Sequence, residues 1–255
     1  MPLTNRQIER YSRQLIVQGF GADAQRRLLA AHIMLIAPWA ELDPVLGYLV
    51  GAGVGQIDLP ANHQPTVDAA IDATVATIAQ MRDLNPDSSV RVGPRIAPTS
   101  GAFDLAVILV GDSASFEQAR ELCDRPDNFA GTLADNSALV VSTLVSAFVF
   151  ARLDQPARIA VIPRRPPCPR CIAADDLLAP LAAPADNAAF VASLAALEAI
   201  KILSGFAASA ASSLIEFRGY QASARVIVPD SAAKCSCNAA RRAQRSSQGP
   251  PKGHR

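Results

Sequence analysis

Four of the five cysteines fall in two close pairs, Cys168 with Cys171 in CPRC and Cys235 with Cys237 in CSC. Two such pairs from distant parts of a chain can supply four thiolates to one tetrahedral zinc. A zinc held this way would staple the C-terminal segment to the body and contribute folding energy. The CSC pair is tighter than the usual CxxC spacing, so both sulfurs reach one ion only if the backbone turns sharply. Two other readings of CPRC stay open, a redox dithiol and unligated thiols. A redox CxxC opens a helix after a strand. Here Pro163, Pro166, Pro167 and Pro169, with Arg164, Arg165 and Arg170 among them, give the segment the character of a loop or knuckle. Cys123 falls in an expected helix and reads as an isolated small hydrophobe.

The second chemistry to look for is nucleotide binding. An α/β sheet that holds a nucleotide needs glycines just after its first strand, so that phosphate can reach a helix N-terminus. Here the first strand is followed by Ala37-Pro38-Trp39-Ala40-Glu41-Leu42-Asp43-Pro44, and no glycine stands between Gly21 and Gly47. Trp39 is bulky, and Glu41 and Asp43 repel phosphate where the helix dipole should attract it. The plain reading is a rigid, filled turn. After the second strand the chain reads Leu59-Pro60-Ala61-Asn62-His63, without a carboxylate to hold a ribose. Asp112 follows the apolar run LAVILV, at the C-terminal end of an expected central strand, where open α/β sheets place ligands. A helix N-cap is an equal reading of Asp112. Trp39 and Asp112 are the candidate wall and polar contact of a remodelled pocket. His32, His63 and His254 are scattered, and no GxSxG, HExxH or GxxxxGK[ST] occurs.

These residues need elements to position them. Residues 5–16 read as a helix that Asn5 caps, and 22–31 as a second helix. HIMLIA, 32–37, suits a strand buried on both faces. Residues 41–52 read as a helix with Pro44 in its first turn, closed by Gly53 and Gly55 and followed by a strand in GQIDLP. A helix over 66–83 stops at Asn85-Pro86. Strands are expected at 89–93, 105–110, 138–142 and 157–163, and helices at 114–123 and 188–204, the latter closed by Gly205. SSLIEFRG and ARVIVP supply two late strands. Strands alternating with helices mean an α/β fold with a largely parallel, Rossmann-like sheet, strand-rich after residue 155.

The chain has 255 residues, 50% hydrophobic and 18% charged, enough to bury a sizeable core. This composition excludes a coiled coil, a collagen, a wholly disordered chain and a small disulfide scaffold. The formal net charge is +1, but the sign is uneven. Residues 238–255 carry five basic residues and no acid, which leaves 19 basic against 23 acidic residues elsewhere, a net of −4. The folded part is therefore not expected to bind nucleic acid. The basic end, 239–255, reads as a disordered tail. No signal-peptide core precedes the first helix, and no apolar run reaches membrane-spanning length, so a cytoplasmic protein without membrane contact is expected.

Several segments together resemble the ThiF/MoeB/HesA family of ubiquitin-activating-like adenylyltransferases. RYSRQLIVQGFGADAQRRLLAAHIMLI, 10–36, is similar to the family's opening. YLVGAGVGQIDL, 48–59, is similar to the end of its first core helix and its second strand, and LNPDSSV, 84–90, to the approach to its third. CPRC at 168, ASLAALEAIKILSGF at 192–206 and CSC at 235 complete the order. The resemblance covers roughly residues 8–238, and implies one domain with N-terminal helices (1–31), a Rossmann-like part (32–155) and a C-terminal sheet part with a zinc knuckle (156–238).

Active family members bind ATP and magnesium, adenylate the C-terminal glycine of a ubiquitin-like or sulfur-carrier protein, and are dimers. The family's GxGxxG falls on Ala37, Trp39 and Leu42, its ribose carboxylate near Ala61 and its magnesium aspartate near Gly111, beside Asp112. The basic residues that hold the triphosphate are missing until Arg82, and 172–187 offers no thioester-forming cysteine. Losing these groups together removes most of the electrostatic stabilisation adenylyl transfer needs, roughly 3 kcal/mol for each. Arg13 of RYSRQ remains, and the resemblance implies that this arginine reaches into a neighbouring subunit's ATP site. The resemblance thus implies a zinc-stapled, non-catalytic member without ATP or magnesium of its own. It would be a homodimer, or a heterodimer with an active paralogue, and would scaffold that partner or a small carrier protein or peptide. Two alternatives stand beside it: an active adenylyltransferase with an unconventional nucleotide site, and a binder of a different small ligand in the remodelled pocket.

Overall fold

The computed structural model describes residues 2–60, 68–93, 103–124, 147–163, 180–206 and 213–226. Their centre is a single eight-stranded sheet in the order β3-β2-β1-β4-β5-β6-β7-β8. The strands are β1 (His32–Ile36), β2 (Gln56–Pro60), β3 (Ser89–Gly93), β4 (Leu105–Val110), β5 (Ala147–Arg152), β6 (Ala157–Pro163), β7 (Ser213–Arg218) and β8 (Gln221–Val226). The first five run parallel, and β6, β7 and β8 continue antiparallel. Side chains of β4 are buried on both faces, as its uninterrupted LAVILV run demands.

The helices are α1 (Asn5–Arg10), α2 (Ser12–Leu15), α3 (Gly21–Ala30), α4 (Trp39–Ala52), α5 (Asp68–Leu84), α6 (Ser113–Asp124) and α7 (Ala188–Ser204). Helices α3, α4 and α7 pack on one face of the sheet and on each other. Helix α6 covers β4 and β1 on the other face, around Met34, Ile36, Ile108 and Phe150. The small residues Ala192, Ala195, Ala196 and Ala199 of α7 are fully buried, which lets α7 approach α4 and the sheet closely.

Several boundaries differ from the sequence reading for local reasons. The first helix breaks at Tyr11, and Thr4 rather than Asn5 caps it, through a reciprocal box with Gln7. Helix α4 begins at Trp39, two residues early, so Pro44 lies beyond its first turn. β5 occupies 147–152, in the second half of the apolar run, and the strand expected at 138–142 lies outside the described residues. The last strand starts at Gln221, because Gly219 and Tyr220 close a two-residue hairpin turn with Gly219 at φ +60°.

One part of the expected fold is corrected. The zinc staple on Cys168, Cys171, Cys235 and Cys237 is not supported. Among the described residues no group of three or more His, Cys, Asp or Glu side chains could hold a metal ion. What joins the C-terminal strands to the body here is a hydrogen-bonded ladder, β6 to β7 and β7 to β8, with α7 packed against the sheet behind it. The four cysteines themselves lie outside the described residues.

Candidate functional site

The sheet order reverses between β1 and β4, which are parallel neighbours whose connections leave in opposite directions. A crevice at the C-terminal ends of such strands is where open α/β sheets hold ligands. Ala37 and Pro38 follow β1 into the start of α4, and Gly111 and Asp112 follow β4 into the start of α6. Asp112 acts as a cap. Its Oδ1 accepts from the Ser115 backbone N–H and from the Ser115 hydroxyl, both at 2.7 Å. Ser115 Oγ in turn accepts from the N–H groups of Gly111 and Asp112, each at 3.2 Å.

Glu41 stands in the first turn of α4. Burial, and then the charge of Asp112, push its carboxyl above the usual range. The crevice is thus flanked by two acidic side chains, Glu41 and Asp112. Its floor is filled. Ala37 and Pro38 are buried, and a Cβ placed on Gly111 would lie 3.0 Å from the Pro38 ring and 3.2 Å from Leu153 Cβ. Trp39 opens α4, and its side chain lies outside the described ones. Where phosphates approach the backbone in nucleotide-binding sheets of this kind a buried proline stands here, and among the described side chains the carboxylates of Glu41 and Asp112 lie beside it. Helix α4 and strand β1 carry no lysine or arginine.

Arg13 is brought to a defined place from a different direction. Tyr11, at the break between α1 and α2, is 1% exposed. Its hydroxyl donates to Asp87 Oδ2 at 3.1 Å and accepts from Asn85 Nδ2 at 2.9 Å. Burial first, with the Asp87 charge adding, pushes the Tyr11 phenol up to about 12, against the lowering effect of Asn85. Asn85 also donates to the Val50 carbonyl at 2.7 Å. Gln14 and Gln25 both donate to the Ala52 carbonyl at the end of α4. So within RYSRQ, Tyr11 and Gln14 face inward and tie the segment to α4 and the 85–88 turn. Arg13 is exposed, without a hydrogen bond or ion pair to any described residue. Among the described residues no contact joins Arg13 to Asp112. The Tyr11–Asn85–Asp87 network was missed in the sequence. Its signals were RYSRQ and LNPD, which are apolar-poor yet carry buried residues.

A third feature lies along the same sheet edge. Arg152, at the end of β5, is 1% exposed and pairs with Asp154 through Nε at 2.7 Å and through Nη2. Burial raises the Asp154 carboxyl, but the Arg152 hydrogen bond and the Ala182 N–H outweigh it and hold it below its usual value. Arg152 also donates to the Pro180 carbonyl, and Leu153 and Gln155 exchange backbone bonds with Ala185 and Ala183. Residues 180–185 are thereby laid across the strand ends. Beyond them a cavity of about 430 Å³ opens between Gln155, Pro156, Asn187, Phe217 and Arg218.

No family model matches the chain. It is 31% identical over 153 residues to the probable adenylyltransferase/sulfurtransferase MoeZ of Mycobacterium tuberculosis, a match covering 55% of this chain and 36% of that protein. It is 24% identical over 235 residues to the molybdopterin-synthase adenylyltransferase of Salmonella typhimurium, covering 84% of this chain and 90% of that one. The chain therefore spans about a third of the length of MoeZ but most of the Salmonella protein. Among solved structures, Escherichia coli MccB with MccA-N7isoASN superposes with a TM-score of 0.62 at 16% identity, over 92% of this chain and 76% of that one. PaaA superposes with a TM-score of 0.57 at 11% identity, over 88% and 75%. At those identities the two structures speak for the fold alone. Among the described residues no helix is long and apolar enough to cross a membrane.

Proposed function

Since the chain belongs to the ThiF/MoeB/HesA adenylyltransferase superfamily, we propose that it serves the activation of a carboxy terminus on a small carrier protein or peptide, as the subunit that scaffolds an adenylating partner and leaves ATP to that partner. The observation that carries this reading is the turn between β1 and α4. Pro38 is packed against Gly111, and Glu41 and Asp112 flank the crevice where triphosphate would have to lie. Adenylyl transfer depends on preorganised donors and cations around the phosphates, and this turn presents the opposite charge. The exposed Arg13, held out by the Tyr11 network, is the group such a subunit would lend to a partner, in a homodimer or in a heterodimer with an active paralogue.

A second reading is a working adenylyltransferase that activates a ubiquitin-like or sulfur-carrier protein. The comparisons by themselves favour it over the first. The curated relatives carry that activity in their names, and one MccB structure is described with ATP. Titration calorimetry of the purified chain with ATP and magnesium separates the two. The first reading expects no heat at millimolar ATP and no ATP–pyrophosphate exchange by the chain alone. Saturable ATP binding with exchange hands the place to the second.

A further inference from the structure

We propose that the cavity between β6, β7 and the start of α7 is a binding site for a primary alkylammonium group, either a free amine or the side chain of a lysine on a partner protein. The inference stands on this cavity alone and is independent of the carrier-activation reading.

The hydrogen-bond donors around the cavity are largely spent. The backbone N–H of Gln155 donates to the Ala183 carbonyl, and that of Ala185 to the Leu153 carbonyl, each at 2.9 Å. Pro156 has no N–H to give. Asn187 is 5% exposed, and its Nδ2 donates to the carbonyl of Gly219, which is also part of the lining. The N–H of Ala188, at the start of α7, turns back to the Ala185 carbonyl.

The acceptors are not spent. With its nitrogen turned to Gly219, Asn187 keeps Oδ1 as an acceptor to which no described residue donates. This oxygen is not sealed in, unlike the unpartnered atoms of Gln118 and Glu198, and the open space that Asn187 borders is the cavity. Next to it, the Asp186 carboxylate is exposed and forms no ion pair or hydrogen bond with a described residue. Among the described residues Arg218 is the one cation of the lining. Its side chain is 81% exposed and its Nε donates to Glu216 at 3.1 Å, so it stands at the rim, beside a carboxylate that also holds Arg158 and under the screening of water.

A buried amide oxygen beside an unpaired carboxylate calls for a donor that carries positive charge. A primary ammonium has three N–H donors on one centre and can meet both oxygens at once. Its alkyl part has Pro156, Ala157 and the 5% exposed Phe217 to lie against. A cavity of about 430 Å³ holds a small ligand of this kind.

The test is titration of the full chain with n-butylammonium chloride at constant ionic strength, followed by amide NMR spectra. Saturable shifts are expected at Asn187 and Gly219. Binding should be about tenfold tighter than that of butyltrimethylammonium, which has the charge but no N–H, and of n-butanol, which has a donor but no charge. Asp186→Asn, at an exposed position, is expected to weaken n-butylammonium about tenfold. Arg218→Gln is expected to strengthen it, because the rim loses a positive charge. Circular dichroism should stay unchanged in both variants. Nα-acetyl-lysine methylamide carries the same ammonium on a peptide backbone. Its binding assigns the site to a lysine side chain, and its failure beside n-butylammonium assigns it to a free amine. Equal binding of n-butylammonium and butyltrimethylammonium, indifference to Asp186→Asn, or the absence of any saturable shift overturns the proposal. The ATP titration judges the carrier-activation reading separately.

Discussion

Tyr11 shows how much a single side chain decides here. Its hydroxyl is buried between Asn85 and Asp87, and its phenol is pushed up to about 12. Because the native state holds the proton more tightly than the unfolded chain, this group's contribution is fully present below about pH 10, the ordinary phenol value, and is lost as pH rises through about 12. Chemical denaturation between pH 8 and 11 is expected to show stability falling with pH in the native sequence. Tyr11→Phe should remove that contribution to the slope and destabilise the protein by about 1–2 kcal/mol at pH 8, because Asn85 loses a buried partner. Gln118 points the other way. It is 6% exposed, and neither amide atom has a hydrogen-bond partner among the described residues. Gln118→Leu is expected to raise stability by about 1–3 kcal/mol in the same assay, since it removes a buried amide whose hydration was lost without return.

At the scale of elements, the question is what fixes one piece against the next. The start of β2 touches the end of α3 so closely that a Cβ on Gly55 would run into the Leu29 carbonyl. Gly55 also donates to the Leu28 carbonyl at 3.0 Å, so the backbones cannot part without losing a hydrogen bond. Gly55→Ala is therefore expected to lower the unfolding midpoint well beyond the few tenths of a kcal/mol typical of a surface change. The Arg152–Asp154 pair fixes the 180–185 segment to the end of β5. Asp154→Asn removes the Asp154 charge from beside a buried guanidinium and from the acceptor of the Ala182 N–H, and should cost about 3–5 kcal/mol. Arg152→Met with Asp154→Leu should recover much of that loss, which a double-mutant cycle measures. The native pair also sets an acid limit. With its carboxyl held below the usual value, Asp154 contributes stability present at neutral pH and lost as pH falls below about 4 through the lower native value.

At the scale of the whole molecule, β4 joins the two cores. Val107 and Leu109 face the α3, α4 and α7 side, and Ile108 and Val110 face the α6 side. A deletion on either face is felt by the same sheet. Leu109→Ala and Ile108→Ala are each expected to cost about 2–5 kcal/mol. Both should shift one cooperative transition, with fluorescence and circular dichroism midpoints moving together. Two separate transitions would mean that the faces unfold independently.

The amino-acid sequence by itself determined the elements with strong periodicity and clear ends. LAVILV is apolar at every position and became the doubly buried β4, and AAFVASLAALEAIKILS before Gly205 became α7. The missing glycines of the β1–α4 turn were legible as well, because an absent Cβ is a property of residue type. Other features depended on distance in space. Nothing local in AFVFAR tells a strand from a buried helix turn, and pairing with β4 and β6 decides β5. Nothing in YSRQ or NPD marks buried hydrogen bonds, since Tyr11 meets Asn85 across 74 positions of chain. The cysteine spacings suggested a metal, but spacing fixes only which ligands are near in sequence. What attaches the C-terminal strands is the ladder from β6, and a ladder forms between whichever strands the fold places side by side.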